Sequence, residues 1–158
     1  MSQRELMAMS EDEVLAFLSE KRRAQVGTIN ADGTPHLVPM SYVLIDGLLT
    51  IWTDPRSRKV VNLRRDPRMT CLVEDGATFP EMRAVQLSGH AEMTADADGS
   101  LRVGLALFER AAGGLDDDLR ATVAALVPER VGIAVHPERV VSWDHRKLEG
   151  VRPSEIGK

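Results

Sequence analysis

The sequence has 158 residues with 20 basic and 24 acidic side chains, which give a formal net charge of -4 at pH 7. This length suits one compact domain over residues 1–158 that buries roughly two-thirds of its unfolded surface. Proteins that bind nucleic acid usually present a broad basic face, so the acidic balance argues against such a partner. Cys71 is the single cysteine, so we expect no disulfide within the chain. The N-terminus lacks an apolar signal core, and no apolar run approaches ~18 residues. We therefore expect a cytoplasmic, soluble protein without membrane contact.

The first half of the chain predicts a helix followed by a meander of strands. Ser10 followed by Glu13 has the spacing of a capping box, and an apolar stripe behind it predicts a helix over Glu11–Glu20. Asp46-Gly47 is a strong signal for a two-residue hairpin, and Pro39 is expected to kink its strand or place it at a sheet edge. The three strands are expected at Ala24–Asn30, His36–Ile45 and Leu48–Thr53.

The second half adds strands and two helices. Leu101, Leu105 and Phe108 share one helical face after the break at Asp98-Gly99, and a shorter helix is expected over Asp117–Leu126. The remaining strands are expected at Met69–Glu74 and Val85–Thr94, with a final pair, Val131–Val135 and Val140–Trp143, bent by Pro137. Five to seven short strands with few helices favour an antiparallel β-barrel over a parallel sheet.

The segment from Thr53 to Arg68 is the most informative part of the sequence because it places six cationic side chains around one short helix start. Ser57 is a good N-cap, so the free backbone amides behind it favour an anion. Arg58 and Lys59 stand in the first helical turn, where cations oppose the helix dipole. A phosphate or polycarboxylate ligand would offset this conflict, whereas the alternative is an ordinary solvated helix face.

The remaining basic and polar candidates leave alternatives open. Arg64, Arg65 and Arg68 are more typical of surface or dimer salt bridges, but they also suit a polycarboxylate tail. Tyr42 either donates to a substrate or ends at the barrel rim. The four histidines, His36, His90, His136 and His145, have no spacing typical of a metal site, so we expect no metal. Cys71 reads as a buried, inert thiol.

Four segments in this order carry a family resemblance: VGTINADGTPHLVPMSYVLIDGLLTIWT, SRKVVNLRRDPRMTCLVE, VQLSGHAEM and ERVVSWDHRKL. The chain resembles the flavin/deazaflavin oxidoreductases of the pyridoxamine 5'-phosphate oxidase-like superfamily. Actinobacterial members of its deazaflavin-dependent branch are the most similar. The resemblance implies a mainly β fold with a few helices, a split β-barrel of the FMN-binding type that is homodimeric.

The resemblance also implies which residues bind a cofactor. Its phosphate is expected at the Ser57-Arg58-Lys59 turn. Trp143 and Lys147 correspond to a segment that reaches the cofactor across the dimer interface. The residues expected to line the ring system are Val38, Pro39, Met40, Ile51, Trp52 and Thr53, although Trp52 also reads as a core residue. The oxidase itself has an arginine-bearing tail where this chain reads DHRKLEGVRP, and a flavin-binding glutamine aligns near Ala84, so vitamin B6 oxidation and strict FMN binding are both disfavoured.

We therefore expect an oxidoreductase in which the deazaflavin coenzyme F420 transfers a hydride to a small electron-poor acceptor. The cofactor performs this chemistry, so no catalytic side chain is assigned. Two alternatives remain at this point. One is an FMN-dependent oxidase or reductase of the same family, and the other is a noncatalytic protein that binds a flavin, haem or tetrapyrrole.

Overall fold

Six antiparallel strands form a closed barrel in a computed structural model that describes residues 2–150. Their spatial order is β1-β2-β3-β6-β5-β4. The strands are β1 (Arg23–Ile29), β2 (Pro35–Ile45), β3 (Leu48–Thr53), β4 (Arg68–Asp75), β5 (Arg83–Met93) and β6 (Val131–Asp144). The helices are α1 (Gln3–Met7), α2 (Glu11–Glu20), α3 (Arg58–Arg65), α4 (Ala97–Ala112) and α5 (Asp117–Leu126), with 3-10 turns at Phe79–Glu81, Val127–Glu129 and His145–Leu148. The predicted β-barrel class is confirmed.

Local sequence signals placed several elements correctly. The helix Glu11–Glu20 begins with the expected capping box, in which the Ser10 amide donates to the Glu13 carboxylate at 2.7 Å and the Glu13 amide donates to the Ser10 hydroxyl at 3.2 Å. The hairpin turn has Asp46 at φ 52° and Gly47 at φ 80°, both in the left-handed region that this turn requires. The predicted bounds of Leu48–Thr53 and Asp117–Leu126 are also confirmed.

The final pair of strands was predicted wrongly, because the chain from Val131 to Asp144 is one continuous strand. Pro137 lies opposite Gly89 at a bulge where the register of β5 and β6 shifts. A side chain at Gly89 would place its Cβ 1.9 Å from the carbonyl oxygen of His136, so the two backbones meet closely there. The proline thus interrupts the ladder locally without ending the strand. The short helix α1 was not predicted.

Two apolar clusters hold the fold together. The first fills the barrel, and α2 and α3 contribute to it from opposite ends through Leu18 and Leu63. The second lies between the outside of the barrel and the pair α4–α5, and it contains Trp52, Val103 and Val123. The first cluster fixes α3 at one end of the barrel through Val60 and Leu63. No helix of residues 2–150 has both the length and the apolar character needed to span a membrane.

Candidate functional site

A gap in the barrel wall lies beside the start of α3. β2 and β3 pair from Ile45↔Leu48 to Tyr42↔Ile51 and no further. Beyond that point, residues 35–41 of β2 pair with β1, and Trp52 and Thr53 of β3 pair with β6. The facing edges of β2 and β3 therefore have no strand partner within the described chain. We call this gap between residues 38–40 and 52–53 the seam.

Lys59 is a buried cation beside the seam. Its side chain is buried, and its Nζ donates to the Thr53 hydroxyl at 2.9 Å and to the Ser57 hydroxyl at 3.4 Å. No carboxylate of residues 2–150 forms an ion pair with it, since Asp54 instead binds Arg56 at 2.7 Å. Burial lowers the pKa of Lys59, and the charge of Asp54 opposes that shift in part. A buried ammonium with only hydroxyl partners is costly, so the corner favours an added anion.

The first turn of α3 adds further donors to this corner. Ser57 occupies the N-cap position as predicted, but its side chain makes no capping hydrogen bond. Its hydroxyl instead accepts from the Lys59 ammonium. The amides of a first helical turn have no partner within the helix. Arg58 extends into solvent next to them, so this corner combines two cations with free backbone donors. Arg58 is exposed, whereas the burial of Lys59 is incompatible with an ordinary solvated helix face at that residue.

The residues predicted to line a ring system divide into two groups. Val38 and Met40 lie in the half of β2 that borders the seam, are partly buried, and pair with inward-facing residues of β1, whereas Pro39 between them is exposed. This half of β2 has a neighbour on one side only, which agrees with the edge position expected of Pro39. Thr53 also lies at the seam, where its hydroxyl holds Lys59.

Ile51 and Trp52 use their side chains inside the protein. Ile51 is fully buried in the barrel cluster. Trp52 belongs to the second cluster, where its indole N–H donates to the Ser100 hydroxyl at 2.8 Å and its ring meets Phe108 edge-on at 6.3 Å. Trp52 is thus a core residue, and only its backbone borders the seam.

Trp143 and Lys147 lie at the other end of this barrel. Trp143 pairs with Ala84 near the start of β5. The Lys147 ammonium donates to the Ala8 carbonyl at 2.8 Å and to the Glu13 carboxylate at 2.6 Å. A single chain therefore does not bring these two residues to Lys59.

The other basic residues near α3 have partners of their own. Arg68 pairs with Asp66 at 2.6 Å, and the Arg65 guanidinium donates to the Ile29 carbonyl. Arg64 is exposed. Two of the three arginines that suit a polycarboxylate tail are thus already engaged within the chain.

Several other candidates are placed by contacts inside the fold. Tyr42 is buried, and its hydroxyl donates to the Leu18 carbonyl at 2.6 Å, so it does not end at the rim. Cys71 is buried, as predicted, and burial raises the pKa of its thiol to about 12. His36 is partly buried, with Nδ1 3.4 Å from the Thr28 hydroxyl. His90 and His136, scattered in the sequence, stack with ring centroids 5.2 Å apart.

Sequence reasoning missed Asn62, which is fully buried. Its amide nitrogen donates to the Thr28 hydroxyl at 3.1 Å and to the Asn30 side-chain oxygen at 3.0 Å. These bonds fix α3 against the end of β1 and so hold the Lys59 corner in place. The available signal was an amide at a core-facing position between Val60 and Leu63.

Comparisons with known proteins agree with this architecture. The family model described as pyridoxamine 5'-phosphate oxidase matches residues 10–144. A solved structure of the conserved hypothetical protein Rv2991 from Mycobacterium tuberculosis is 39% identical, with a TM-score of 0.89 over 100% of this chain and 98% of that one. HutZ, the haem storage protein of Vibrio cholerae, is 17% identical, with a TM-score of 0.64 over 84% of this chain and 94% of that one.

A curated relative with a named activity covers a shorter stretch. The F420-dependent biliverdin reductase of Mycobacterium tuberculosis is 33% identical over 89 residues, which are 55% of this chain and 61% of the reductase. The chain therefore spans about three-fifths of the length of the curated relative that it matches.

Proposed function

The chain belongs to the pyridoxamine 5'-phosphate oxidase family, and from that premise we propose that it is an oxidoreductase that uses coenzyme F420 to reduce a small electron-poor acceptor. Its relatives support the coarser class of flavin and deazaflavin oxidoreductases. The proposal depends above all on the buried Lys59 ammonium, whose partners within the described part of the chain are two hydroxyls.

The corner around Lys59 fits the phosphate of such a cofactor. Lys59 would supply a buried positive charge, Arg58 a planar guanidinium able to donate to phosphate oxygens, and the first-turn amides of α3 neutral donors. An anion placed there would offset the desolvation of Lys59. Thr53 and Ser57 orient the ammonium, because each accepts one of its three hydrogen-bonding protons.

The seam fits a planar ring. Val38 and Met40 give it an apolar wall, and the unpaired backbone edges of β2 and β3 offer hydrogen-bonding groups for a heterocycle. When bound, the cofactor supplies the hydride. The protein positions the ring, excludes water from it and sets the local field, so no catalytic triad is required.

We propose a homodimer in which a second copy completes the site with Trp143 and Lys147. These residues lie at the end of the barrel opposite Lys59 within one chain. Grooves of about 790 Å³ and 750 Å³ open elsewhere on the chain, and Lys59 lines neither of them. If the site is open in one copy and closed by the second copy, Lys59 of a single chain would line no enclosed groove, and Trp143 and Lys147 would lie far from Lys59 of their own chain.

An FMN-dependent enzyme is the second candidate, and one observation favours it. FMN carries a single phosphate, whereas coenzyme F420 also carries a tail of carboxylates. Arg65 and Arg68, two of the cations suited to that tail, already bind Ile29 and Asp66. The corner at Lys59 serves either cofactor equally well, so their affinities must be compared directly.

The test is a set of parallel titrations of the apo-protein with coenzyme F420, FMN and haem, in which calorimetry measures the affinity for each. We expect coenzyme F420 to bind most tightly and its reduced form to lose its hydride to a quinone acceptor. Tighter binding of FMN, with a flavin spectrum in the purified protein, would favour the second candidate. Haem binding without turnover would contradict an enzymatic function.

A further inference from the structure

The six aromatic side chains of this protein divide sharply by location. Four of them are used inside the fold: Phe17, Tyr42, Trp52 and Phe108. The other two, Phe79 and Trp143, lie at the end of the barrel that is remote from Lys59. The seam of one chain therefore has apolar walls but no aromatic side chain of its own to cover a planar ring.

Phe79 is exposed yet held in place. Its side chain is 68% accessible to solvent, although the 3-10 turn that carries it is capped by Thr78 and Glu81 with hydrogen bonds of 2.7 and 3.1 Å. The His145 amide donates to the Met82 carbonyl at 2.9 Å. Its ring nitrogen Nδ1 lies 2.9 Å from the Phe79 carbonyl, so Nδ1 donates, because a carbonyl only accepts.

The ring of Phe79 also packs against the imidazole of His145, with centroids 4.5 Å apart and planes at 69°. These contacts preorganise an apolar surface that residues 2–150 leave open. The hydrogen bonds hold the backbone of this turn, and the contact with His145 orients the ring, so Phe79 presents an ordered apolar surface to a partner.

Phe79 and Trp143 belong to neighbouring segments that are hydrogen-bonded to each other. The chain passes from the turn that carries Phe79 through Met82 into β5, where Ala84 pairs with Trp143. His145, which contacts Phe79, begins the 3-10 turn immediately after β6. Any arrangement that brings Trp143 to a second copy therefore brings Phe79 to the same region.

We propose that Phe79 of one copy covers the planar ring of the cofactor held in the seam of the second copy. The inference rests on the proposed dimeric cofactor site, and it assigns to Phe79 a positioning role in binding. Aromatic stacking prefers offset or edge-on geometry and contributes beyond simple burial. Phe79→Ala should therefore weaken the binding of coenzyme F420 by about 3- to 10-fold, and Phe79→Tyr should retain the affinity.

Hybrid dimers distinguish a contact across the interface from one within a chain. Differently tagged Lys59→Met and Phe79→Ala chains are co-expressed, and the mixed dimer is purified by both tags. If Phe79 acts across the interface, one site of the hybrid is intact and the other carries both changes. Calorimetry with coenzyme F420 should then show one site of wild-type affinity per dimer. Leu15→Ala removes another exposed apolar side chain and serves as the control.

The outcomes separate this inference from the proposed function. A hybrid whose two sites are both weakened, with none of wild-type affinity, would overturn the contact between copies. So would a Phe79→Ala homodimer with unchanged affinity, or a monomeric protein. Unchanged binding in the Lys59→Met homodimer would instead overturn the phosphate assignment on which the proposed function depends.

Discussion

Replacing Lys59 with methionine tests whether the charge of Lys59 binds a ligand or stabilises the fold. The change keeps most of the apolar stem and removes an ammonium whose partners are the hydroxyls of Thr53 and Ser57. A hydrogen bond to a charged group contributes about 1.5–3 kcal/mol, so the dissociation constant for a phosphate-bearing cofactor should rise about 10- to 150-fold. Calorimetric titration of the apo-protein measures this change.

The same substitution should leave the folded apo-protein intact. Removal of the buried charge relieves its desolvation, a penalty of several kcal/mol, which offsets the two lost hydrogen bonds of about 1.5–3 kcal/mol each. The free energy of unfolding in urea should therefore change by no more than about 1 kcal/mol, or rise. Arg120→Met removes one charge from the exposed side of α5 and is the matched control. A loss above about 2 kcal/mol with unchanged affinity would refute the reasoning, because Lys59 would then be structural.

Two further predictions concern ionisation and packing. Because burial lowers the pKa of Lys59 below its ordinary 10.5, the unfolded chain holds this proton over a pH range in which the folded chain has lost it. The unfolding free energy of the wild type relative to that of Lys59→Met should therefore rise across that range, and phosphate affinity of the wild type should fall. Urea titrations of both proteins from pH 7 to 11 measure this difference, in which the opposite contributions of Cys71 and Tyr42, whose pKa values burial raises, cancel; identical pH profiles for the two proteins would contradict it. Gly104→Ala would place a Cβ 2.8 Å from the Trp52 ring and should cost about 1–2 kcal/mol of stability despite better helix propensity. Gly114→Ala, where nothing lies within 4 Å, is the control, and equal melting temperatures for the two variants would disprove the close contact.

Elements specified by adjacent residues were predictable from the sequence. The capping box at Ser10 and the left-handed turn at Asp46-Gly47 involve only nearby atoms, so their outcome did not depend on the rest of the fold. Ser57 likewise marked the start of α3. The burial of Lys59 was not predictable, because it results from contact with Thr53 on a separate strand.

Features that depend on distant packing were missed or left open. The continuity of β6 through Pro137 depends on the bulge opposite Gly89, which lies on another strand. Trp52 alternates along β3 in a pattern compatible with either face, and only the position of α4 assigns it to the second cluster. The separation of Lys147 from Lys59 within one barrel follows from strand register, which periodicity alone does not specify.

The most direct measurement is a crystal structure of the protein with coenzyme F420 bound. We expect the cofactor phosphate to lie within hydrogen-bonding distance of the Lys59 ammonium and the first-turn amides of α3, with the ring in the seam. A phosphate bound away from Ser57–Lys59, or a ring bound outside the seam, would contradict it.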